Sequence, residues 1–337
     1  MRFLLFVVPM LFLASCASIF FGKDNTGSNL ECYDFLTKTI DERYSLFDVK
    51  EVNWDLAKTE YRALMADSLS DQDMLKVLGH LIGNLEDGHT NIYGVFDFTR
   101  YWDWYLNYPS NYDSELIERH YLNRAYWQTG PFAHTIIDSI AYIRYSSFSP
   151  SISGKHLNFI LDRIAPMKGV VFDIRNNGGG KLNNVKRLLS AFADTTRISH
   201  EFYFKNGPQK DDFTEPINYK IKPHKKAFNK KPVVVLTNRK SYSAATFFPS
   251  GMQVFPHVTI MGDHSGGGGG VPYHFELPNG WTFRLSTTKT IDSKGQNIEP
   301  GITPQIEAFL DRKVAEKGVD TVIEKAIVFI KKKNEEM

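Results

Sequence analysis

The residue best placed to do chemistry is Ser243, in residues 231–252, KPVVVLTNRKSYSAATFFPSGM. It follows the β-branched run Val233-Val234-Val235-Leu236 and precedes Ala244-Ala245, where a helix can start. A serine between a buried strand and a helix lies beside unpaired N–H groups and the positive end of the helix dipole. That suits a nucleophile whose attack on a carbonyl creates an oxyanion. It equally suits a helix N-cap, and Ser243 taken alone reads as a cap. A serine hydroxyl needs a base within hydrogen-bond reach, and histidine is the side chain matched to that task near neutral pH. Of ten histidines, His89 alone sits in a junction motif, Glu86-Asp87-Gly88-His89-Thr90. His264 and His274 flank the glycine run 266–270 and are the alternative bases, while His80 and His120 read as structural or solvent-facing.

Asn176-Asn177-Gly178-Gly179-Gly180 lies where a strand hands over to a helix. Its N–H groups can point at an anion, although spacing alone favours a tight turn. No Gly-Lys-Ser/Thr follows, which disfavours a phosphate loop. The glycines 266–270 precede a hairpin and not a helix, so they fail as a dinucleotide fingerprint and read as a mobile loop beside a cleft. Gly-x-Ser-x-Gly and His-Glu-x-x-His are absent, and the reading calls for no metal and no organic cofactor. Among 337 residues the formal net charge is +2, which gives no electrostatic footprint for nucleic acid.

These groups must be positioned by an α/β core. Residues 140–145, 169–175, 233–236 and 258–261 read as strands, and they alternate with helical patterns over 153–164 and 182–192. Pro278-Asn279-Gly280 marks a hairpin between residues 273–277 and 281–285, and a helix over roughly 319–331 closes the chain. Residues 30–85 read as helices. One is capped by Ser70 and ends in the charged turn before His89, with Gly88 as its C-terminal cap. Residues 95–137 lack a period, and the aromatics of 96–112 line a pocket or, more simply, pack two subdomains.

The N-terminus carries Arg2, the apolar run 3–13 and then Leu13-Ala14-Ser15-Cys16. The run is too short for a membrane span and fits a secretory leader. Leu-Ala-Ser-Cys resembles the bacterial lipobox, which implies lipidation of Cys16, a membrane tether and a place in the cell envelope. Cys32 is then the one remaining thiol.

Four motifs occur in order: Asp87-Gly88-His89-Thr90, residues 173–180 (DIRNNGGG), Ser241-Tyr242-Ser243-Ala244-Ala245 and Glu299-Pro300-Gly301-Ile302-Thr303-Pro304. With them the chain resembles the tail-specific (C-terminal-processing) serine peptidases over about residues 34–306, closest to the tricorn-core branch. The resemblance implies a crotonase- or ClpP-like α/β core with an N-terminal helical subdomain, and no PDZ-type insertion is visible. Together with the leader pattern this divides the chain into a lipoprotein signal (1–15), spacer and helical subdomain (16–94), aromatic-rich connector (95–137) and α/β catalytic domain (138–337). The resemblance implies Ser243 as nucleophile and the N–H groups of Gly180 and Ala244 as oxyanion hole. His89 is then the base, in place of the lysine used elsewhere in the family, and Glu299 an acid that polarises the pair. Departures from the family pattern are Gly88 for a serine, Thr246 for an acid and Pro249 within the helix after Ser243. The implied substrate is a peptide or protein. The alternatives are an inactive peptide-binding protein and an esterase-type acyl hydrolase.

Overall fold

The computed structural model describes residues 27–122 and 126–336. Cys16 and the leader lie outside them. Three helices come first, α1 (Asn29–Arg43), α2 (Trp54–Arg62) and α3 (Asp71–Gly83), opened by side-chain caps from Ser28, Asn53 and Ser70. Strand β1 (Asn91–Tyr93) follows, then β2 (Trp127–Thr129), β3 (Phe132–Ile137), β4 (Ile140–Arg144), α4 (Gly154–Ile164), β5 (Gly169–Asp173) and α5 (Leu182–Phe192). Next are β6 (Arg197–Phe204), β7 (Ile217–Ile221), β8 (Val233–Thr237), α6 (Ala244–Met252) and β9 (Val258–Gly262). The chain continues through β10 (Pro272–Glu276), β11 (Thr282–Ser286), β12 (Thr288–Asp292), β13 (Ile306–Glu307) and α7 (Thr321–Glu335).

The large sheet has the order β13-β9-β8-β5-β4-β3-β2. It is parallel from β13 to β4, and β3 and β2 add antiparallel strands at one edge. Every residue of β5 and β8 is buried, because helices cover both faces. Alternate side chains point to opposite faces. Val170, Phe172, Val233 and Val235 meet the α4, α5 and α6 side, whereas Val171, Val234 and Leu236 meet Val322, Ile323 and Ile327 of α7. The hairpin β10–β11 pairs with β1, and its Phe283 and Leu285 pack among Leu36, Leu78 and Leu81 of the N-terminal helices.

Strands β2, β3, β6, β7 and β12 have no clear sequence signal. The β3–β4 connection turns through Asp138 and Ser139, both at positive φ (49° and 63°), without a glycine to announce it. The stretch 95–137 therefore holds β2 and β3, strands of the large sheet. The expected cap at Gly88 is also relocated. Helix α3 ends at Gly83, and Glu86 makes the left-handed turn at φ 50°. At the end of β5, fully buried Arg175 pairs with Asp173 at 2.7 Å and with Asp320, the N-cap of α7, at 3.0 Å. This fastens α7 directly behind the glycine turn.

Candidate active site

Ser243 links β8 to α6 with φ 57° and ψ −124°, a backbone conformation that ordinarily belongs to glycine. Its N–H donates to the Gly267 carbonyl at 2.8 Å, and Ala245 N–H closes a turn on the Tyr242 carbonyl at 3.0 Å. The Ser243 side chain makes no capping hydrogen bond, so the simple N-cap reading is not realised. Ser241 serves as the staple: its hydroxyl donates to the Ile174 carbonyl at 2.9 Å and accepts from Asn238 N–H at 3.1 Å. Thr246, where the family pattern has an acid, donates to the Ser241 carbonyl and accepts from Gly267 N–H. Pro249 lies within α6, which still runs from Ala244 to Met252.

The turn 176–180 is joined to the serine loop by Tyr242 N–H on the Asn177 carbonyl (3.0 Å) and by paired Asn176 and Asn238 side chains. Gly180 has φ 140°, and a Cβ there would fall 2.4 Å from the Phe148 carbonyl carbon and Ser149 nitrogen. The bridge to Phe148 uses the Gly179 carbonyl and Lys181 N–H. It leaves the N–H of Gly180, like that of Ala244, without a partner among the described residues.

His89 is 5% exposed, and its backbone N–H is held by Asp87 Oδ1 at 2.8 Å. Its ring packs on Tyr242 with centroids 4.9 Å apart, and Nδ1 has no hydrogen-bond partner. Burial pushes its pKa down to about 4, opposed by the negative charge of Asp87 and reinforced by Arg284. At neutral pH the imidazole is therefore uncharged and able to accept a proton. Glu299 lies behind, with Oε1 paired to Lys50 at 3.1 Å and Oε2 accepting from Gly270 N–H at 3.1 Å. Burial, with Asp87 nearby, raises Glu299 to about 7 against the opposing pull of Lys50. Burial lowers Lys50, but Glu299 and Asp87 outweigh it and hold the ammonium above its ordinary range.

Ser243, His89 and Gly180 line one cleft of about 600 Å³, together with Trp102, Trp104, Tyr105 and Tyr242. No hydrogen bond joins Ser243 to His89 in this arrangement, and Glu299 bonds to the glycine loop and Lys50, not to His89. His264 is tied to the Ser265 carbonyl and His274 is exposed on β10; neither lines the cleft. The loop 266–270, expected to be mobile, is pinned by Gly266 N–H on Ser241, Gly268 N–H on the Glu299 carbonyl and Gly270 N–H on its carboxylate. Its glycines are required by proximity: a Cβ at Gly268 would lie 2.5 Å from the Tyr242 ring. Gly88 is small for a related reason, since its Cβ would come 2.8 Å from Tyr242 Oη. Of the two readings for the aromatics of 96–112, Trp102, Trp104 and Tyr105 realise the pocket-lining one, whereas Lys50 has no local signal because it belongs to the site only through packing.

Residues 139–308 match the peptidase family S41. Over 176 residues the chain is 28% identical to the carboxy-terminal processing protease CtpA of Bacillus subtilis, a match covering 51% of this chain and 36% of that protein. CtpB of the same organism is 28% identical over 170 residues, 50% of this chain and 34% of CtpB. The chain thus spans about a third of the length of these relatives. A solved structure described as a candidate peptidase from Parabacteroides merdae is 35% identical with a TM-score of 0.85, covering 90% of this chain and 97% of that one. Mature CPAF, at 14% identity and TM-score 0.64 over 91% and 97% of the two chains, shares the fold.

Proposed function

We propose that this chain, which belongs to peptidase family S41, is a serine peptidase that cuts peptide bonds through an acyl-enzyme. The observation that carries this reading is the Ser243 elbow, with its glycine-like backbone and the unpartnered N–H groups of Gly180 and Ala244 beside it. Ser243 Oγ attacks the carbonyl, and the two N–H groups receive the oxyanion. His89 takes the hydroxyl proton and returns it to the leaving amine, after which water activated by the same base releases the acyl group. Ser243 and His89 line the same cleft without a hydrogen bond between them, and catalytic hydrogen bonds left open in the free enzyme tighten when substrate binds. Asp87 favours the imidazolium through its negative charge, and Glu299 contributes by pairing Lys50, whose charge opposes it.

Labelling by a fluorophosphonate, with Ser243→Ala and His89→Ala as comparators, tests this. Wild type labels, and both variants fold but neither labels nor cleaves. Full activity in either variant refutes the assignment. A second reading, a peptide-binding protein without catalysis, is motivated by the missing Ser243–His89 hydrogen bond. Folded wild type that takes no label favours it. We further propose a lipid tether at Cys16 in the bacterial envelope. Incorporation of labelled palmitate that is lost in Cys16→Ala supports this, and a soluble, unlipidated product in a lipoprotein-competent host rejects it. Among the described residues no helix is long and apolar enough to cross a membrane.

A further inference from the structure

The cleft around Ser243 is lined by three cationic side chains, Arg100, Lys240 and Arg284, and by no carboxylate. They approach from different walls. Arg100 belongs to the aromatic connector, Lys240 to the turn before the nucleophile, and Arg284 to β11 of the hairpin packed on the N-terminal helices. None of the three is in an ion pair among the described residues. The Arg100 guanidinium lies over the rings of Phe98 (4.8 Å) and Trp102 (5.0 Å), and Lys240 Nζ lies over Tyr105 (4.8 Å). Arg284 donates to Asn91 Oδ1 at 2.6 Å and to the Gly88 carbonyl at 3.4 Å, both neutral acceptors. Arg239, next in the chain to Lys240 but off the cleft wall, does have an acid, Asp263 at 3.6 Å.

Aromatic faces and amide oxygens orient these cations without neutralising them. A concave wall of low polarisability concentrates the field of such charges inside the cleft. Arg100 makes no hydrogen bond among the described residues, so its whole fork of donors is open to a carboxylate. The formal net charge of the chain is only +2, so the bias is local to the cleft and is not a property of the whole surface.

We infer that the cleft selects peptides bearing a carboxylate close to the bond at Ser243, held by Arg100, Lys240 and Arg284. The inference rests on the cleft being a peptide site, as proposed above, but not on catalysis. The carboxylate is that of an acidic side chain, and the test separates it from a free chain end.

Fluorescence anisotropy on the full-length Ser243→Ala protein reads binding without turnover. Four labelled peptides are compared: Ala/Glu, Ala/Gln and Ala/Lys repeats with amidated ends, and Ala/Gln with a free C-terminus. The Ala/Glu peptide is expected to bind ~10-fold more tightly than its Gln counterpart at low salt, with Ala/Lys weakest and the margin shrinking as salt screens it. Adding Arg100→Gln or Lys240→Gln narrows the Glu-over-Gln ratio. A free-ended Ala/Gln peptide that binds like its amide assigns the recognised group to acidic side chains; one that matches Ala/Glu shows that any carboxylate serves and overturns the inference. Preferential binding by Ser243→Ala, with no cleavage by wild type, upholds the inference and rejects the peptidase reading. The inference is overturned by equal affinity for all four peptides, by absence of binding, or by a charge preference that survives both substitutions.

Discussion

The neutral state of buried His89 gives the most direct prediction. Burial, opposed by Asp87 and reinforced by Arg284 and Lys50, pushes its pKa down to about 4, with Tyr242 packed on its face. An imidazole with that pKa is roughly nine-tenths neutral at pH 5, whereas one at ~6.5 is only about 3% neutral. Attack by Ser243 needs the neutral base, so the labelling rate at pH 5 should be about 0.9 of the rate at pH 7. With an ordinary histidine the ratio would be about 0.04. Glu299, held near 7, ionises in the same window, so the measurement is repeated in Glu299→Gln to remove that titration. The assay is the pseudo-first-order rate of fluorophosphonate labelling from pH 4 to 8, with circular dichroism confirming the fold at each point. The fold control matters because a histidine with a depressed native pKa stabilises fully above pH 6.5, and that stabilisation disappears as pH falls toward 4. A midpoint near 6.5 in both proteins would show that burial does not set the state of His89.

Other consequences are equally open to measurement. His200, hydrogen-bonded between Ser199 and Ser250 and lowered by burial to about 3, stabilises the fold above pH 6.5 and loses that contribution as pH falls toward 3. Near pH 5, His200→Gln should reduce the slope of unfolding free energy against pH by about one proton, ~1.4 kcal/mol per unit, in urea titrations. An unchanged slope would mean that the ring protonates in the native state. Gly180→Ala, whose Cβ meets the Phe148–Ser149 peptide at a φ of 140°, should lower kcat/KM by at least ~100-fold by displacing an oxyanion donor. Retained activity would place the oxyanion elsewhere. Arg175→Met strands the buried carboxylates of Asp173 and Asp320, and the expected loss of stability is ~3–5 kcal/mol by chemical denaturation. A cost below ~1 kcal/mol would show the triad to be dispensable.

Sequence alone determined whatever depends on local period, capping and turn chemistry. The all-apolar runs of β5 and β8, the cap at Ser70 and the Pro-Asn-Gly hairpin are each written within a few residues, and each is found where expected. The four ordered motifs likewise pointed to the family and to Ser243, His89, Gly180, Ala244 and Glu299 as candidates. Strands β2, β3, β6, β7 and β12 were not legible, because their sequences mix polar and apolar residues without a clean period and the Asp138-Ser139 turn has no glycine. Tertiary structure decided that Ser243 is an elbow and not a cap, since its positive φ is imposed by the Gly267 carbonyl and the packed glycine loop. Packing alone puts Lys50 against Glu299 and Tyr242 against His89, and gathers three unpaired cations around one serine. Those juxtapositions join residues distant along the chain, so no local pattern carries them.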